Sequence, residues 1–219
     1  MLYPDKFYLT QDLNRRFART NLARLIFSDL HFEKTNISLI QTQLVADGLN
    51  IERASEKEKD KERIIRLKRA WQYIINENKV LSLDIELKIH LLLTGYGFRD
   101  NLNYKQEEKF FDELMNNDTS TTDKAMTLMY HNMRNQLFWD GNKRTATLAA
   151  NKLMIDHGAG LINAPLDKWD RWNKLISQYY LTGKMNMLKD WTYENGIQGV
   201  VLNNNSDLPK PDINPEDYD

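Results

Sequence analysis

Helix start and stop signals divide almost the whole of this sequence, and they restrict the fold more than any other feature. Thr10, Ser38 and Ser82 each precede an apolar segment, where a hydroxyl can accept a hydrogen bond from the free N–H groups of a first helical turn. Gln41 stands three residues after Ser38 and completes a capping box, and Gly48 is suited to end the helix that follows. The pattern predicts an all-α fold.

Apolar residues recur at helical spacing inside these segments. The predicted helices cover roughly residues 10–30, 38–48, 55–75, 82–94, 106–116, 122–137, 144–157, 167–181 and 185–194. A short extended piece that ends at Pro165 separates two of them. The aromatic stripe of the last two helices, which includes Trp172 and Tyr179, has the spacing of core residues rather than of a cofactor site.

Composition excludes several classes of protein. The 219 residues suit one domain with an added arm, and a net charge of −1 lacks the basic excess of a dedicated nucleic-acid binder. No apolar run approaches the roughly 20 residues that a membrane span needs, and the first residues lack the pattern of a secretory signal. The absence of Cys excludes disulfides and thiolate chemistry. We therefore expect a cytoplasmic protein with neither a membrane nor a nucleic acid as its partner.

The charged run E-K-E-K-D-K-E-R, residues 56–63, leaves two interpretations open. It has the basic residues of a nucleic-acid contact, but its opposite charges alternate at the distances that pair along one helix. We favour a solvated helix face. Ser55 and Glu58 repeat the capping-box spacing at its start.

The segment Q-L-F-W-D-G-N-K-R-T-A-T, which begins at position 136, combines the residue types of a phosphate site. A helix that begins near Arg144 presents free backbone N–H groups at the positive end of its dipole, and Lys143 and Arg144 add positive charge. Gly141 permits a turn close to a ligand, and Asn142 supplies an amide. Together these groups form an anion site suited to phosphates.

Asp140 stands directly before that turn, where a carboxylate can hold a divalent cation such as Mg²⁺ against bound phosphates. The alternative is that an Asp-Gly turn and a basic first turn only link two helices. Positive side chains at a helix start oppose the dipole and cost stability unless an anion lies nearby. That cost favours a phosphate-binding loop.

The run F-W-D-G-N-K-R-T-A resembles the signature of the Fic/Doc family. The usual pattern is His-x-Phe-x-Asp/Glu-Gly-Asn-Gly-Arg-x-x-Arg in Fic proteins, with Asn-Lys-Arg-Thr-Ala at the corresponding place in Doc. The order of the predicted helices agrees over roughly residues 83–195, about half of the chain. Family members typically transfer part of a nucleotide, most often AMP from ATP, to a hydroxyl group of a target protein, whereas Doc transfers a phosphate.

The resemblance implies an all-α, Fic-like helical bundle with a short flap hairpin and an N-terminal helical arm. It also implies roles for the matching residues: Asp140 as the Mg²⁺ ligand, Gly141, Asn142 and Arg144 as the phosphate cradle, and Phe138 as the buried anchor of the loop. The segment 95–104 would be the flap that aligns a target chain by strand-like pairing, through Phe98, Arg99 and Tyr104.

Three positions depart from the family pattern. Gln136 stands where the catalytic His would be, and an amide cannot serve as a general base near neutral pH. General-base catalysis is worth about 10²- to 10⁴-fold, so nucleotide binding can survive while transfer becomes slow. Lys143 replaces the Gly of ordinary Fic proteins and matches Doc, and Thr147 removes a usual triphosphate contact. His131, about 140° from Gln136 around the helix axis, is predicted to be a structural or surface residue.

A second resemblance lies in the N-terminal arm. Many Fic proteins carry an inhibitory helix with Ser/Thr-x-x-x-Glu-Gly/Asn, whose Glu pairs with the second Arg of the signature. Asp29, Glu33 and Lys34 occupy the corresponding positions here, so Glu33 would be the inhibitory residue, although Thr147 stands in place of its usual partner. An exposed Glu at a helix end is the alternative.

We therefore expect an N-terminal arm over residues 1–50, a Fic-like domain over 51–197 and a tail over 198–219 that is either a mobile extension or a strap on the surface. The expected function is that of a nucleotide-binding relative of protein adenylyltransferases or Doc-like phosphotransferases, with impaired or altered catalysis. Mg²⁺ and ATP are the expected ligands, a protein target is expected at the flap, and a homodimer is left open. The alternative is a non-catalytic regulatory or toxin–antitoxin-type binding module.

Overall fold

The computed structural model describes residues 2–33, 35–49, 55–100 and 102–201, without the side chains of residues 55–57. Its helices are α1 (Gln11–Thr20), α2 (Leu22–Leu30), α3 (Leu39–Ala46), α4 (Ser55–Asn76), α5 (Leu83–Thr94), α6 (Tyr104–Met115), α7 (Thr121–Asn135), α8 (Asn142–Asp156), α9 (Trp169–Thr182) and α10 (Asn186–Asn195). Its strands are β1 (Leu161–Ile162) and β2 (Ile197–Gln198). The predicted all-α class is confirmed. Along the described residues, no helix combines the length and the apolar composition that crossing a membrane requires.

The predicted helix starts are confirmed where their side chains are described. The hydroxyls of Thr10, Ser38 and Ser82 accept hydrogen bonds from the backbone N–H three residues later, at 3.2, 3.2 and 3.3 Å. The side-chain oxygen of Gln41 accepts in turn from the backbone N–H of Ser38, which completes the predicted capping box. The second predicted box, at Ser55, lies outside the described side chains.

The single helix predicted over residues 10–30 is wrong, because the structure breaks it at Asn21. This residue has φ −97° and ψ 12°, and its side-chain amide donates to the carbonyl oxygen of Phe17 at 2.9 Å. A short polar side chain that bonds to the preceding turn offers the backbone an alternative to the next helical hydrogen bond. The chain resumes as α2, which buries Leu25 and Leu30.

The N-terminal helices share one hydrophobic core with the rest of the described chain. Leu30 of α2, Trp71 of α4 and Leu148 of α8 belong to the same buried cluster. α8 is buried along almost its whole length, because α4, α5 and α7 all pack against it. The start of α8 is therefore fixed by several neighbouring helices. The predicted boundary at residue 50 falls on residues 50–54, outside the described part, and stays a prediction.

An extended N-terminal segment, residues 2–10, packs against the C-terminal half of the chain. The Leu9 N–H donates to the Gly158 carbonyl oxygen at 2.8 Å, and the Tyr3 hydroxyl donates to Asp190 at 2.7 Å. The antiparallel pair of β1 and β2 follows in the same region and was not predicted, since strands of two residues give no visible alternation. Of the predicted tail, Gln198 belongs to β2, and residues 202–219 lie outside the description.

Gly158 offers a test of how much this N-terminal segment stabilises the fold. A Cβ at Gly158 would lie 1.8 Å from the Leu9 carbonyl oxygen, and the residue has φ +68°. Gly48 has φ +87° with open space around its Cβ position, so it is a matched control. We expect Gly48→Ala to lower the free energy of unfolding by about 1–2 kcal/mol, from its left-handed backbone alone. Urea denaturation should show a loss at least about twice as large for Gly158→Ala. Equal losses would mean that the segment shifts without cost.

Candidate anion-binding site

Two left-handed residues shape the loop between α7 and α8. α7 ends at Asn135, two residues before its predicted end, since Gln136 has φ 52° and ψ 62°. Within the described ranges, Gln136 is the one residue other than Gly with a positive φ. Gly141 has φ 69°, and α8 begins at Asn142, two residues earlier than predicted. The first free N–H groups of α8 are therefore those of Asn142 and the two basic residues after it.

The buried side chain of Asn142 closes this loop on itself. Its Oδ1 accepts from the Phe138 N–H at 2.9 Å. Its Nδ2 donates to the Phe138 carbonyl oxygen at 2.8 Å and to Gln136 Oε1 at 3.2 Å. These bonds hold the turn from within. Asn142 thereby shapes the predicted cradle, and direct contact of its amide with a phosphate stays a prediction.

His90 of α5 packs against the loop. No sequence pattern identified this residue. Its Nδ1 lies 3.0 Å from the Thr145 hydroxyl, its Nε2 lies 3.0 Å from the Thr94 hydroxyl, and its ring stacks on Phe138 at 3.7 Å. Burial, together with the positive charge of Arg144, lowers the pKa of His90 to about 4. The ring is therefore neutral at pH 7. A single His among apolar helix residues gives no sequence signal for such a contact.

Phe138 anchors the loop in the way that the resemblance implies. Its buried ring stacks on Phe98 of the flap at 5.0 Å, and the two residues also form an antiparallel β-bridge. Beside this bridge, the Arg99 N–H donates to the Leu137 carbonyl oxygen at 3.1 Å. Among the described residues of the flap, the predicted hairpin is replaced by this one β-bridge. The bridge joins the flap to the site loop.

The remaining flap residues surround this bridge. Arg99 Nη1 donates to the Gln136 carbonyl oxygen at 3.2 Å, and its guanidinium lies 5.1 Å from the ring centroid of Trp139. The Trp139 ring is largely exposed. Tyr104 begins α6 and contacts Phe98 edge-on at 5.7 Å. The structure therefore brings the three predicted flap residues together, while their contact with a target protein stays a prediction.

Arg144 is the buried cation of the site. Its side chain is 5% exposed, with Nε 2.9 Å from Glu33 Oε1 and Nη2 3.7 Å from Asp140 Oδ2. The Asp140 side chain is 75% exposed, so its carboxylate is available to solvent and to a ligand. Lys143 Nζ lies 5.8 Å from the ring centroid of Trp172.

Glu33 supplies the anion that a basic helix start requires. Its side chain is only 18% exposed and pairs with Arg144, so the alternative of an exposed helix-end Glu is wrong. Thr147 occupies the position of the usual partner, and its hydroxyl instead donates to the Lys143 carbonyl oxygen within α8 at 2.9 Å. The N-terminal arm thus places a carboxylate beside the first turn of α8, where the dipole and Arg144 both favour negative charge.

Asp29 stands one turn before Glu33, where the inhibitory pattern has Ser or Thr. It is buried and accepts a hydrogen bond from Trp71 Nε1 at 2.7 Å. Burial raises the pKa of Asp29 to about 7, although the Trp71 bond and the charge of Arg144 act in the opposite direction. The contact ties the end of α2 to α4. Lys34, the last position of the pattern, lies outside the described residues.

A pocket of about 190 Å³ lies at the centre of this arrangement. Its lining consists of Phe32, Glu33, Gln136, Trp139, Asp140, Gly141, Asn142, Lys143 and Arg144. The pocket is smaller than the roughly 300–1,000 Å³ of typical small-molecule sites. A larger groove of about 830 Å³, lined by residues such as Phe17 and Pro165, is formed by other parts of the chain. The volume of the small pocket suits a phosphate-sized group rather than a whole nucleotide.

The fit of a metal ion at this site depends on Asp140. In the part of the chain that the structure describes, no group of three or more His, Asp or Glu residues could hold a metal by itself. Mg²⁺ bound to phosphates usually takes only one or two protein carboxylates and completes its shell with phosphate oxygens and water. A single exposed carboxylate beside an anion site fits that pattern. Mg²⁺ at Asp140 therefore requires the phosphates to be present.

His131 lies apart from the pocket lining and takes the structural role that was predicted for it. Its Nε2 is 2.8 Å from Glu107 Oε2, and its ring stacks on Phe110 at 3.5 Å. Asn135 Nδ2 also lies 2.7 Å from His131 Nε2. These contacts engage His131 with α6 and with its own helix, away from the residues that line the pocket.

Glu86, a buried acid on α5, leads to a pH-dependent stability. Its Oε1 accepts from Asn132, while its Oε2 has no hydrogen-bond partner among the described residues. Burial raises the pKa of Glu86 to about 8, with the charge of Glu107 adding to the rise and the Asn132 bond opposing it. Because the folded pKa exceeds the unfolded value, the folded state binds more protons between about pH 4.5 and 8. Stability from this group is lost as the pH rises through that window.

We expect Glu86→Gln to remove this loss, because a neutral amide keeps the contact with Asn132. The variant should be more stable than the wild type at pH 8 by about 1–3 kcal/mol, the usual cost of a poorly satisfied buried polar group. The difference should shrink as the pH falls toward 5. Urea denaturation of both proteins at pH 5, 6.5 and 8 measures it. A difference that does not change with pH would show that Glu86 does not titrate in this window.

Comparison with known proteins agrees with this geometry. Residues 94–154 match the family model described as "Fic/DOC family", and they include the flap, the loop and most of α8. This central segment of the chain is thus similar to the Fic/DOC family. No curated protein sequence matches the chain.

Solved structures show the same fold over most of the chain. A Fic-1 chain (residues 134–508) from C. elegans matches with a TM-score of 0.69 and 18% identity, over 84% of this chain and 62% of that chain. A Fic domain containing signaling protein from Bacteroides thetaiotaomicron matches with a TM-score of 0.67 and 15% identity, over 83% of this chain and 80% of that chain. A Fic family protein from Desulfovibrio desulfuricans matches with a TM-score of 0.66 and 14% identity, over 82% and 63%. This chain thus spans less than two thirds of the C. elegans chain, and these identities support the fold alone.

Proposed function

We propose that this chain is a Fic-type protein that binds Mg²⁺ and ATP and whose transfer of AMP or phosphate to a protein hydroxyl is impaired. The observation that carries the proposal is the ion pair of 2.9 Å between Arg144 Nε and Glu33 Oε1. A carboxylate held at the basic first turn of α8 supports an anion site there, since the same groups suit a phosphate. The match of residues 94–154 to the Fic/DOC family supports a nucleotide phosphate as the ligand.

In the proposed complex, the phosphates accept hydrogen bonds from the N–H groups at the start of α8 and from Arg144, and Lys143 adds charge. Asp140 holds Mg²⁺, which neutralises charge on the phosphates when it is bound. Position 141 requires Gly for two reasons. Its backbone is left-handed, and a Cβ there would lie 2.9 Å from Thr94 Cγ2 and 3.3 Å from Arg144 Nη2. The proposed phosphate cradle therefore consists mainly of backbone N–H groups and positively charged side chains.

Gln136 limits what this site can do chemically. The side chain lines the pocket, but its Nε2 donates to the Met133 carbonyl oxygen and its Oε1 accepts from Asn142. A neutral amide has no proton-accepting capacity near pH 7. A target hydroxyl therefore keeps its proton during attack on the phosphate. We infer that the site binds ATP but transfers AMP or phosphate to the target hydroxyl only slowly.

Glu33 is the proposed inhibitory residue. Its carboxylate lines the small pocket and occupies the strongest anion position, beside Arg144. A nucleotide phosphate has to displace this carboxylate. The free energy of the Glu33–Arg144 ion pair is therefore subtracted from the free energy of nucleotide binding. Release of the N-terminal arm would therefore open the site.

The flap is the proposed contact for a protein target. Phe98 and Arg99 are already paired with the loop by the β-bridge and by the bond to Leu137, so an added chain would extend this pairing next to the pocket. The exposed Trp139 ring offers apolar surface beside it. The identity of the target and the formation of a homodimer stay predictions.

Titration calorimetry with ATP tests the proposed binding. We expect binding in the presence of Mg²⁺ and a loss of at least about tenfold in affinity for Arg144→Ala, because one charge-assisted contact to phosphate is worth about 1.5–3 kcal/mol. Lys174→Ala, which removes an exposed cation of α9, is the matched control and should bind as the wild type does. Unchanged binding by Arg144→Ala would show that the site assignment is wrong.

A non-catalytic binding module is the second proposal, and Gln136 favours it over an efficient enzyme. Such a module would keep the loop as a contact for a protein or an anion. The two proposals differ in the calorimetric titration, since Mg²⁺-dependent, stoichiometric ATP binding favours the nucleotide-binding protein. Absence of ATP binding even after Glu33→Gln would favour the module.

A further inference from the structure

The Glu33 carboxylate lies between two arginines, and only one of them belongs to the site loop. Its Oε1 is 2.9 Å from Nε of Arg144, and its Oε2 is 4.0 Å from Nε of Arg63. Arg63 comes from α4, and its Nη1 donates to Asp60 at 2.9 Å. That bond engages Nη1 of the guanidinium, while its Nε lies within ion-pair distance of Glu33.

We propose that Arg63 is a second phosphate-binding arginine, which binds together with Arg144 the anionic group that replaces Glu33. The ligand class is a polyphosphate chain, either of a nucleoside triphosphate or free. The inference rests on the proposed function, because it needs such a ligand in the pocket. It assigns a binding role to a residue that stands far from the loop in sequence.

The geometry of one anion between two cations carries this inference. Each oxygen of the carboxylate faces a different guanidinium, so an anion in its place meets both. Displacement of Glu33 leaves two positive side chains near one another, of which Arg144 is almost fully buried. A buried charge without a partner is strongly unfavourable, and an incoming phosphate supplies one. Phosphate oxygens also match the planar donor fork of arginine.

The second turn of α8 explains why a cation from another helix is needed. Thr147 stands there, and its hydroxyl is bonded to the Lys143 carbonyl oxygen of its own helix. It therefore brings no charge to the pocket. Arg63 is 37% exposed, so its guanidinium has room to follow a ligand.

Arg63 has one competing role, which is to hold Glu33 in its inhibitory position and nothing more. The two roles give different results once Glu33 carries no charge. In a Glu33→Gln protein, an arginine that only holds Glu33 has no effect on the ligand. An arginine that binds phosphate still contributes to affinity.

The experiment compares three proteins by titration calorimetry with Mg²⁺–ATP and with inorganic triphosphate: Glu33→Gln, Glu33→Gln/Arg63→Gln and Glu33→Gln/Arg69→Gln. Arg69 is an exposed residue of the same helix, and its replacement makes the same change in net charge. We expect Arg63→Gln to weaken both ligands by about tenfold and Arg69→Gln to weaken them by less than about twofold. Equal affinities for the two double variants, or a loss for ATP without a loss for triphosphate, would overturn the proposal.

Thermal denaturation by circular dichroism shows whether the Arg63→Gln protein is folded. If it is not, Arg63→Lys in the same background replaces it, since a lysine keeps the charge and loses the fork. We expect a loss of several fold for this variant, and unchanged affinity would contradict the inference. Failure of the proposed function gives a distinct result: the Glu33→Gln protein with Arg63 intact would bind neither ligand, and both proposals would fall together.

Discussion

Replacement of Gln136 by histidine is expected to raise the transfer of label from ATP by about 10²-fold, the lower part of the range for general-base catalysis. The side chain lines the pocket beside the loop, so an imidazole there can accept the proton of a target hydroxyl. The backbone at this position has φ 52°, a conformation in which His is several-fold more frequent than most residues. The substitution is therefore compatible with the fold. The gain should be partial, because Lys143 and Thr147 also depart from the AMP-transferring pattern, and a displacement of about 1 Å can cost about 10²-fold.

The assay is label transfer to the protein itself or to a cell lysate, with α-labelled and γ-labelled ATP in parallel. The α-label reports AMP transfer, and the γ-label reports phosphate transfer. Gln136→Asn is the matched control, since Asn also tolerates the left-handed backbone but keeps a neutral amide. It should stay as inactive as the wild type. Rapid transfer by the wild type that persists in Gln136→Ala and disappears in Asp140→Ala would refute this account, because another group would then serve as the base.

Neutralisation of Glu33 should raise the affinity for Mg²⁺–ATP by about 10- to 100-fold. The estimate follows from the Glu33–Arg144 ion pair that a phosphate has to displace, since a 10- to 100-fold change in affinity corresponds to about 1.4–2.7 kcal/mol. Glu33→Gln keeps the shape of the side chain and removes its charge. Titration calorimetry of the wild type and the variant measures the change, and equal affinities would show that Glu33 does not compete with the ligand.

The same substitution should act on stability in the opposite direction. Loss of one partner of a buried ion pair costs about 3–5 kcal/mol, and the lower end applies because the Glu33 side chain is 18% exposed. Addition of inorganic triphosphate should restore part of this loss, since a ligand stabilises the state that binds it. Glu62→Gln, which removes an exposed acid paired with Arg66, is the control and should change the free energy of unfolding by less than about 1 kcal/mol.

Local sequence was sufficient for those parts of the site that lie within one loop. The sequence Asp140, Gly141, Asn142, Lys143 and Arg144 predicted a turn, an anion site and a helix start, and the structure has the turn and the helix start in that order. The remaining error was two residues in where α8 begins. At this earlier start the Asn142 side chain bonds back to Phe138, and such a bond is visible only once the loop has closed.

Partners that come from distant parts of the chain escaped prediction. Arg63 ends a charged run whose alternating signs indicated a solvated helix face, and its contact with Glu33 exists only because α4 packs against the N-terminal arm. Glu33 itself was predicted as the inhibitory residue. Its partner was expected at position 147, whereas the structure pairs it with Arg144. His90 gave no signal at all, since stacking on Phe138 depends on how α5 packs on α8.

The sequence by itself determined the all-α class, the capped starts of α1, α3 and α5, and the chemistry of the loop, because caps, glycines and helical spacing act over a few residues. Only the tertiary structure decided which charges meet. Glu33, Arg144 and Arg63 come from three separate segments, and the distance between such groups is set by helix packing rather than by spacing along the chain. Because burial strengthens the interaction of charges and removes their water, those distances decide whether the pocket holds its own carboxylate or the phosphate of a ligand.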